Sequence, residues 1–161
     1  KARALGMKNT RYVDTSGLSH DNVSTAADLA KLVAAASKYR EIATYSTTSI
    51  YTANFSRPRY RLDYVNTNPL VRYNRWDVVL SKTGYLDEAG RCLVMKANVD
   101  GKDLLIVMLD SFGKTSPIGD AGRIKRWLAS GNGGSVASAA KDYQKRKIAS
   151  HLASRATASI R

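Results

Sequence analysis

Leu29, Leu32, Val33 and Ala36 recur at the spacing that gathers side chains on one face of a helix. Ser24 or Thr25 stands where its cap belongs, and Thr25 with Asp28 three residues on resembles a capping box with Asp in place of Glu. The pattern predicts a helix from there, fading near Tyr39 or Arg40. From Thr44 to Val65 the helical period is lost. Thr, Tyr and Ile dominate and Pro58 interrupts them, which predicts extended segments joined by a turn, followed by a break at residues 66–69. Three strands come next: residues 76–86 built on Val78, Val79 and Leu80, residues 91–99 on Leu93, Val94 and Met95, and an almost wholly apolar run at 104–109. Asp100-Gly101 predicts a tight hairpin between the last two, because primed turns need positive φ. Gly90 is placed to reverse the chain between the first two. Ser116-Pro117 opens a last helix with Ser as cap. Ile118, Ala121, Ile124, Trp127 and Leu128 form its apolar face, and Gly131 is its stop. Residues 1–23 are rich in turn formers, with one extended piece at Tyr12 and Val13. The expected class is α+β, an antiparallel sheet over about residues 76–110 with helices packed on it.

Composition changes the picture at the end of the chain. Residues 132–140 are mostly Gly, Ser and Ala, the material of a flexible linker, and residues 141–161 carry six cations against one acid. The expected division is a folded part, 1–131, and a basic flexible tail, 132–161. The chain of 161 residues has a net charge of +13, which favours polyanionic partners: nucleic acid, anionic lipid or an anionic cell wall. A single cysteine, Cys92, excludes a disulfide framework, and His20 and His151 with it are too few for a multi-ligand zinc site. There is no apolar run long enough for a transmembrane helix. Residue 1 is Lys and no signal pattern follows, so a processed chain or part of a longer one is expected.

Candidate chemistry centres on Lys82-Thr83-Gly84. The triplet alone is weak, but it lies within an apolar strand, followed by an antiparallel hairpin and a capped helix, the context that penicillin-binding and class A β-lactamase motifs require. With residues 80–84, 90–95, 104–109 and 117–128, further pieces agree: Leu5-Gly6-Met7-Lys8-Asn9-Thr10, Thr15-Ser16-Gly17-Leu18, Ser24-Thr25-Ala26 and Asn66-Thr67-Asn68-Pro69-Leu70. On these residues the chain resembles the low-molecular-mass penicillin-binding proteins, most closely the D-alanyl-D-alanine endopeptidases of the penicillin-binding-protein-7 type, over residues 2 to about 131.

The resemblance implies the C-terminal half of a β-lactamase/transpeptidase-like fold. It also implies a periplasmic serine D,D-peptidase that cleaves D-alanyl cross-links of peptidoglycan through an acyl-enzyme. Partners would be peptidoglycan peptides and β-lactam antibiotics, with no metal or organic cofactor and no nucleic acid. Lys82 would draw the substrate carboxylate and hold protons on the serine network, Thr83 would donate its hydroxyl to that carboxylate, Gly84 would leave space for a backbone, and the Tyr85 N–H would be an oxyanion donor. The family order is S-x-x-K, S-x-N, K-T-G, and neither of the first two precedes Lys82. The nucleophile is therefore expected in a missing N-terminal half or another copy, and the isolated chain is expected to be inactive. Ser111-Phe112-Gly113-Lys114, Ser138-Ala139-Ala140-Lys141 and Ser130-Gly131-Asn132 imitate these motifs but follow Lys82, and about one S-x-x-K arises by chance in such a composition.

His20 reads as a hydrogen-bonded loop histidine, and Cys92, inside an apolar strand, as a buried structural thiol. Arg57, Arg59, Arg61, Arg72 and Arg75 interleave with Tyr60, Tyr64 and Tyr73, a combination that can hold single-stranded nucleic acid, although a solvated basic face around a sheet edge is the favoured account of it. The alternatives are a D-alanyl-D-alanine carboxypeptidase, or a non-catalytic basic module that binds nucleic acid or anionic cell wall.

Overall fold

The computed structural model describes residues 1–158; the last three residues of the expected tail lie outside the described residues. The helices are α1 (Ala26–Ala36), α2 (Arg40–Thr47), α3 (Pro69–Arg72), α4 (Ser116–Ser130) and α5 (Ser138–Ala158), and the strands are β1 (Ile50–Ser56), β2 (Arg59–Val65), β3 (Asp77–Leu86), β4 (Gly90–Val99) and β5 (Lys102–Ser111). Two compact units result, Lys1–Ala121 and a second from Gly122 onward.

Thr25 caps α1 as expected, its hydroxyl accepting the Asp28 N–H at 3.2 Å. The Asp28 carboxylate does not return to the cap. It accepts the Asn9 N–H and the Thr10 hydroxyl, and Lys31 closes the other side. The apolar stripe of α1 faces inward, with Val33 buried. The helix ends at Ala36, earlier than predicted, and a second one, α2, runs through Thr44–Thr47, where extended chain was expected. The Thr47 and Thr48 hydroxyls satisfy the carbonyls of Ala43 and Thr44, and α2 packs on β3, so tertiary packing overrides the weak helix propensity of Thr and Tyr.

β1 and β2 form an antiparallel ribbon from Ile50↔Val65 to Ser56↔Arg59, joined through Arg57 and Pro58, whose peptide bond is cis. Nearly all of it is exposed, and the opposed Phe55 and Tyr60 rings stack at 4.3 Å.

The antiparallel sheet has the order β3-β4-β5. Asp100 and Gly101 take φ of 52° and 78°, the primed turn that the sequence predicts. Strand alternation sends Leu93, Met95, Ala97 and Val99 to one buried face, with Ile106 opposite Met95. Helix α1 packs on β4 and β5, and α3 on β3. Cys92 falls on the other face and is half-buried. The expected core thiol is corrected by parity, because the buried positions of β4 are the odd ones. On that other face Leu105 and Leu109 remain exposed.

Helix α4 begins at Ser116, one residue before the predicted proline start, and buries Pro117 and Ala121. Trp127, predicted on its apolar face, is 57% exposed, while Ile124 and Leu128 of the same stripe are half-buried. Gly131, with φ of 72°, ends the helix. Residues 138–140, expected as linker, form the first turn of α5, which carries its Lys and Arg residues without an apolar stripe.

Candidate active site

Lys82, Thr83 and Gly84 lie on β3, an edge strand that among the described residues pairs with β4 alone. The segment 66–70 fixes that strand from one side. Asn68 caps α3 through its carbonyl oxygen, which accepts the Leu70 N–H at 2.9 Å. Its amide nitrogen donates to the Ser81 hydroxyl at 2.8 Å and contacts the Met95 sulfur at 3.6 Å. Asn68 is wholly buried, and each of these bonds compensates the loss of water. One residue away, the Thr67 and Thr83 hydroxyls share a hydrogen bond of 2.7 Å. Asn66 donates to the carbonyls of Ser46 and Thr48 and thereby holds the end of α2.

Helix α2 also sets the polarity of the free edge. The Ser81 N–H donates to the Ser46 hydroxyl at 3.2 Å, so it points away from β4. In a strand the N–H and C=O of every second residue share a side. The same side therefore belongs to Thr83 and Tyr85, and the Tyr85 N–H is aimed outward from the edge. The Lys82 ammonium donates to the outward carbonyl of Thr83. A Cβ on Gly84 would meet only the Cys92 Cβ at 3.8 Å, an ordinary contact, so nothing within the chain demands glycine there.

Two clefts meet at this edge. An inner cleft of about 450 Å³ lies between Tyr45 of α2, Tyr51 and Tyr64 of the ribbon, and Ser81, Lys82 and Thr83. An outer cleft of about 400 Å³ is bounded by Lys82, Thr83, Tyr85, Arg91, Lys114 and Thr115. The structure thus brings all four sequence-predicted site residues, Lys82, Thr83, Gly84 and Tyr85, to one strand edge, with the first three contiguous and Tyr85 presenting both its N–H and its half-exposed ring.

Lys114 and Arg91 escaped sequence reasoning. Lys114 stood in a motif imitation, yet the turn after β5 carries it to the mouth of the outer cleft. Arg91 lies directly across from Tyr85 in the β3–β4 register, its guanidinium 3.8 Å from the Tyr85 ring centre. A signal for it existed in the hairpin pairing, since a short reversal at Gly90 sets Arg91 against Tyr85. The serines set aside on motif order stand on other elements: Ser111 ends β5, the Ser130 hydroxyl donates to the Arg126 carbonyl, and Ser138 begins α5. His20 is in a loop, as predicted, but exposed rather than hydrogen-bonded to its acid neighbour, its Nε2 standing 3.9 Å from an Asp21 carboxylate oxygen. Among the described residues no His, Cys, Asp and Glu cluster could hold a metal.

The remaining motifs are structural. Asp14 organises the Thr15–Leu18 turn. The Gly17 N–H, joined by Asn22, Ser19 and Ser16 and opposed by burial, brings its carboxyl from 3.8 down to about 2. For Asp28 burial acts to raise the carboxyl, but the bonds from Lys31, Asn9 and Thr10 and the Lys31 charge outweigh it and hold it below 3.8.

An antiparallel sheet whose free edge carries a Lys-Thr-Gly triplet beside a cleft is the strand context that this motif requires. Residues 1–113 match the D-alanyl-D-alanine carboxypeptidase family, and the chain belongs to it. It is 46% identical over 144 residues to a D-alanyl-D-alanine endopeptidase of Pseudomonas aeruginosa, covering 89% of this chain and 46% of the relative. It is 44% identical over 158 residues to a D-alanyl-D-alanine endopeptidase of Escherichia coli, covering 98% and 51%. The crystal structure of a Streptomyces DD-transpeptidase superposes with a TM-score of 0.69 at 30% identity, covering 78% of this chain and 50% of the other. The chain therefore spans about half the length of the curated relatives it matches, and the α+β class is that of the DD-transpeptidase.

Proposed function

We propose that this chain forms the substrate-binding half of a periplasmic serine D,D-peptidase that opens D-alanyl cross-links in peptidoglycan and is acylated by β-lactams. The observation that carries the reading is the free edge of β3, where Lys82 and Thr83 stand beside an outward Tyr85 N–H. The endopeptidases at 46% and 44% identity support the cross-link as the bond cut, over the carboxypeptidase alternative.

In this reading the terminal carboxylate of the peptide lies against Lys82 and the Thr83 hydroxyl, with Lys114 adding positive charge from across the outer cleft. The scissile carbonyl oxygen faces the Tyr85 N–H. A serine hydroxyl attacks that carbonyl, its proton passes to the leaving amine, and the amine departs to leave an ester. Water then hydrolyses the ester. No S-x-x-K or S-x-N precedes Lys82 in these 161 residues, so the serine comes from outside them and the chain alone is not acylated.

Labelling of the complete protein by a fluorescent penicillin tests this. Wild type should label stoichiometrically. Lys82→Ala should lower the labelling rate by about 10²-fold or more, the scale set by losing a charge-stabilising group at the reacting centre, while the circular dichroism spectrum is unchanged. Equal labelling of the two proteins would refute the assignment of Lys82.

A further inference from the structure

The walls of the outer cleft hold three cationic side chains, Lys82, Arg91 and Lys114, and no carboxylate. None of the three takes part in an ion pair among the described residues, unlike Arg11, Lys31, Arg61 and Lys96, which pair with Asp21, Asp28, Asp63 and Asp103. Like charges gathered in one concavity raise its potential and select ligands carrying more than one negative group.

Arg91 is the least exposed of the three. It is half-buried, its guanidinium lies over the Tyr85 ring at 3.8 Å, and the Tyr85 hydroxyl is itself tied to Asp87 at 2.6 Å. A guanidinium stacked on an aromatic face keeps its N–H groups in the plane, where they can take both oxygens of a carboxylate.

Spacing then says which carboxylate. Thr83 and Tyr85 are two residues apart on β3, about 7 Å along a strand. A peptide laid along β3 in the same extended form has the same rise per residue. With its terminal carboxylate at Lys82 and Thr83, its third residue from the end lies beside Tyr85 and Arg91.

We propose that Arg91, stacked on Tyr85, forms a second anion subsite that selects peptides with an acidic side chain on the third residue from the C-terminus. The proposal rests on the functional reading above and adds to it a specificity-determining residue. Arg91 takes no part in bond making; it positions the peptide by a carboxylate remote from the scissile bond.

Two tripeptides test it, acetyl-Glu-D-Ala-D-Ala and acetyl-Gln-D-Ala-D-Ala, which differ in one charge and hardly in size. Their binding to the complete protein is measured by isothermal titration calorimetry. The Glu peptide should bind about tenfold more tightly, the scale of one hydrogen-bonded carboxylate. Arg91→Gln should abolish that preference and leave the affinity for the Gln peptide unchanged. Arg91→Lys, which keeps the charge and loses the flat fork, should retain only part of the preference and serves if the Gln variant does not fold. Equal binding of the two peptides by wild type, or a preference that survives in Arg91→Gln, would overturn the subsite and leave the peptidase reading standing. Failure of wild type to bind either peptide would overturn both.

Discussion

Asn68 shows how much a single polar side chain can hold in this molecule. It is wholly buried, caps α3 and grips Ser81, the residue before Lys82. Asn68→Ala should destabilise the protein by about 2–3 kcal/mol, from one lost cap and one buried hydroxyl left without its partner. Urea unfolding measures this, and a change below about 0.5 kcal/mol would mean that water replaces the amide. Nothing in the sequence marks this asparagine as buried. Lys82 was legible because its strand is apolar and its neighbours are Thr and Gly, whereas Asn68 looked like one more turn former before Pro69. Arg91 was legible only in part: Gly90 signals the reversal, but Tyr85 becomes its partner only once the register is known. The acids Asp14 and Asp28 carry a pH signature. Both have carboxyls lowered by folding, so the stability they add is complete above the ordinary value of 3.8 and is lost as pH falls through the folded values, about 2 for Asp14. Melting temperature should therefore drop as pH falls below 3.8, and Asp28→Asn should flatten the drop while lowering the melting temperature at pH 7. A profile as steep in the variant as in wild type would show that other groups dominate.

At the scale of elements, the strands and the Asp100-Gly101 turn were readable because alternation and turn chemistry are local. α2 was not, since its Thr-rich sequence is helical only through its hydroxyl–carbonyl bonds and its seat on β3. The β3–β4 reversal depends on Gly90 in a stronger sense than the sequence suggested. Its φ is 64°, and a Cβ there would lie 2.2 Å from an Asp110 carboxylate oxygen and 2.9 Å from the Asp110 Cα. Asp110 itself holds a φ of 50°, in the bulged stretch where β4 and β5 shift register. Gly90→Ala should cost about 2 kcal/mol or more, combining left-handed strain with a backbone clash. Equilibrium denaturation decides it. A variant as stable as wild type would mean that the bulge yields freely. Because Arg91 follows Gly90, the same variant should also weaken the preference for the Glu peptide.

At the scale of the whole molecule, the charge of +13 is distributed without an apolar stripe on α5 and with arginines along an exposed ribbon. No helix among the described residues is long and apolar enough to cross a membrane. The composition changes at the start of the Gly-Ser segment, while the folded chain separates into two units within α4, at Gly122. Composition reports where packing material runs out; contact reports where it is used.

The sheet order β3-β4-β5 has a consequence for how amide protons leave the molecule. β4 is the one strand of the three with a neighbour on each side, and its Leu93, Met95, Ala97 and Val99 are buried. Its amides can exchange with solvent deuterium only when the sheet itself opens, whereas on β3 and β5 every second amide looks outward. In a native-state exchange experiment β4 should be the slowest segment along its whole length. β3 and β5 should alternate residue by residue between slow and fast, with Ser81 slowed on the outward side of β3 by its bond to Ser46. Uniform protection along β5 would mean that its outer edge is covered in solution by another strand.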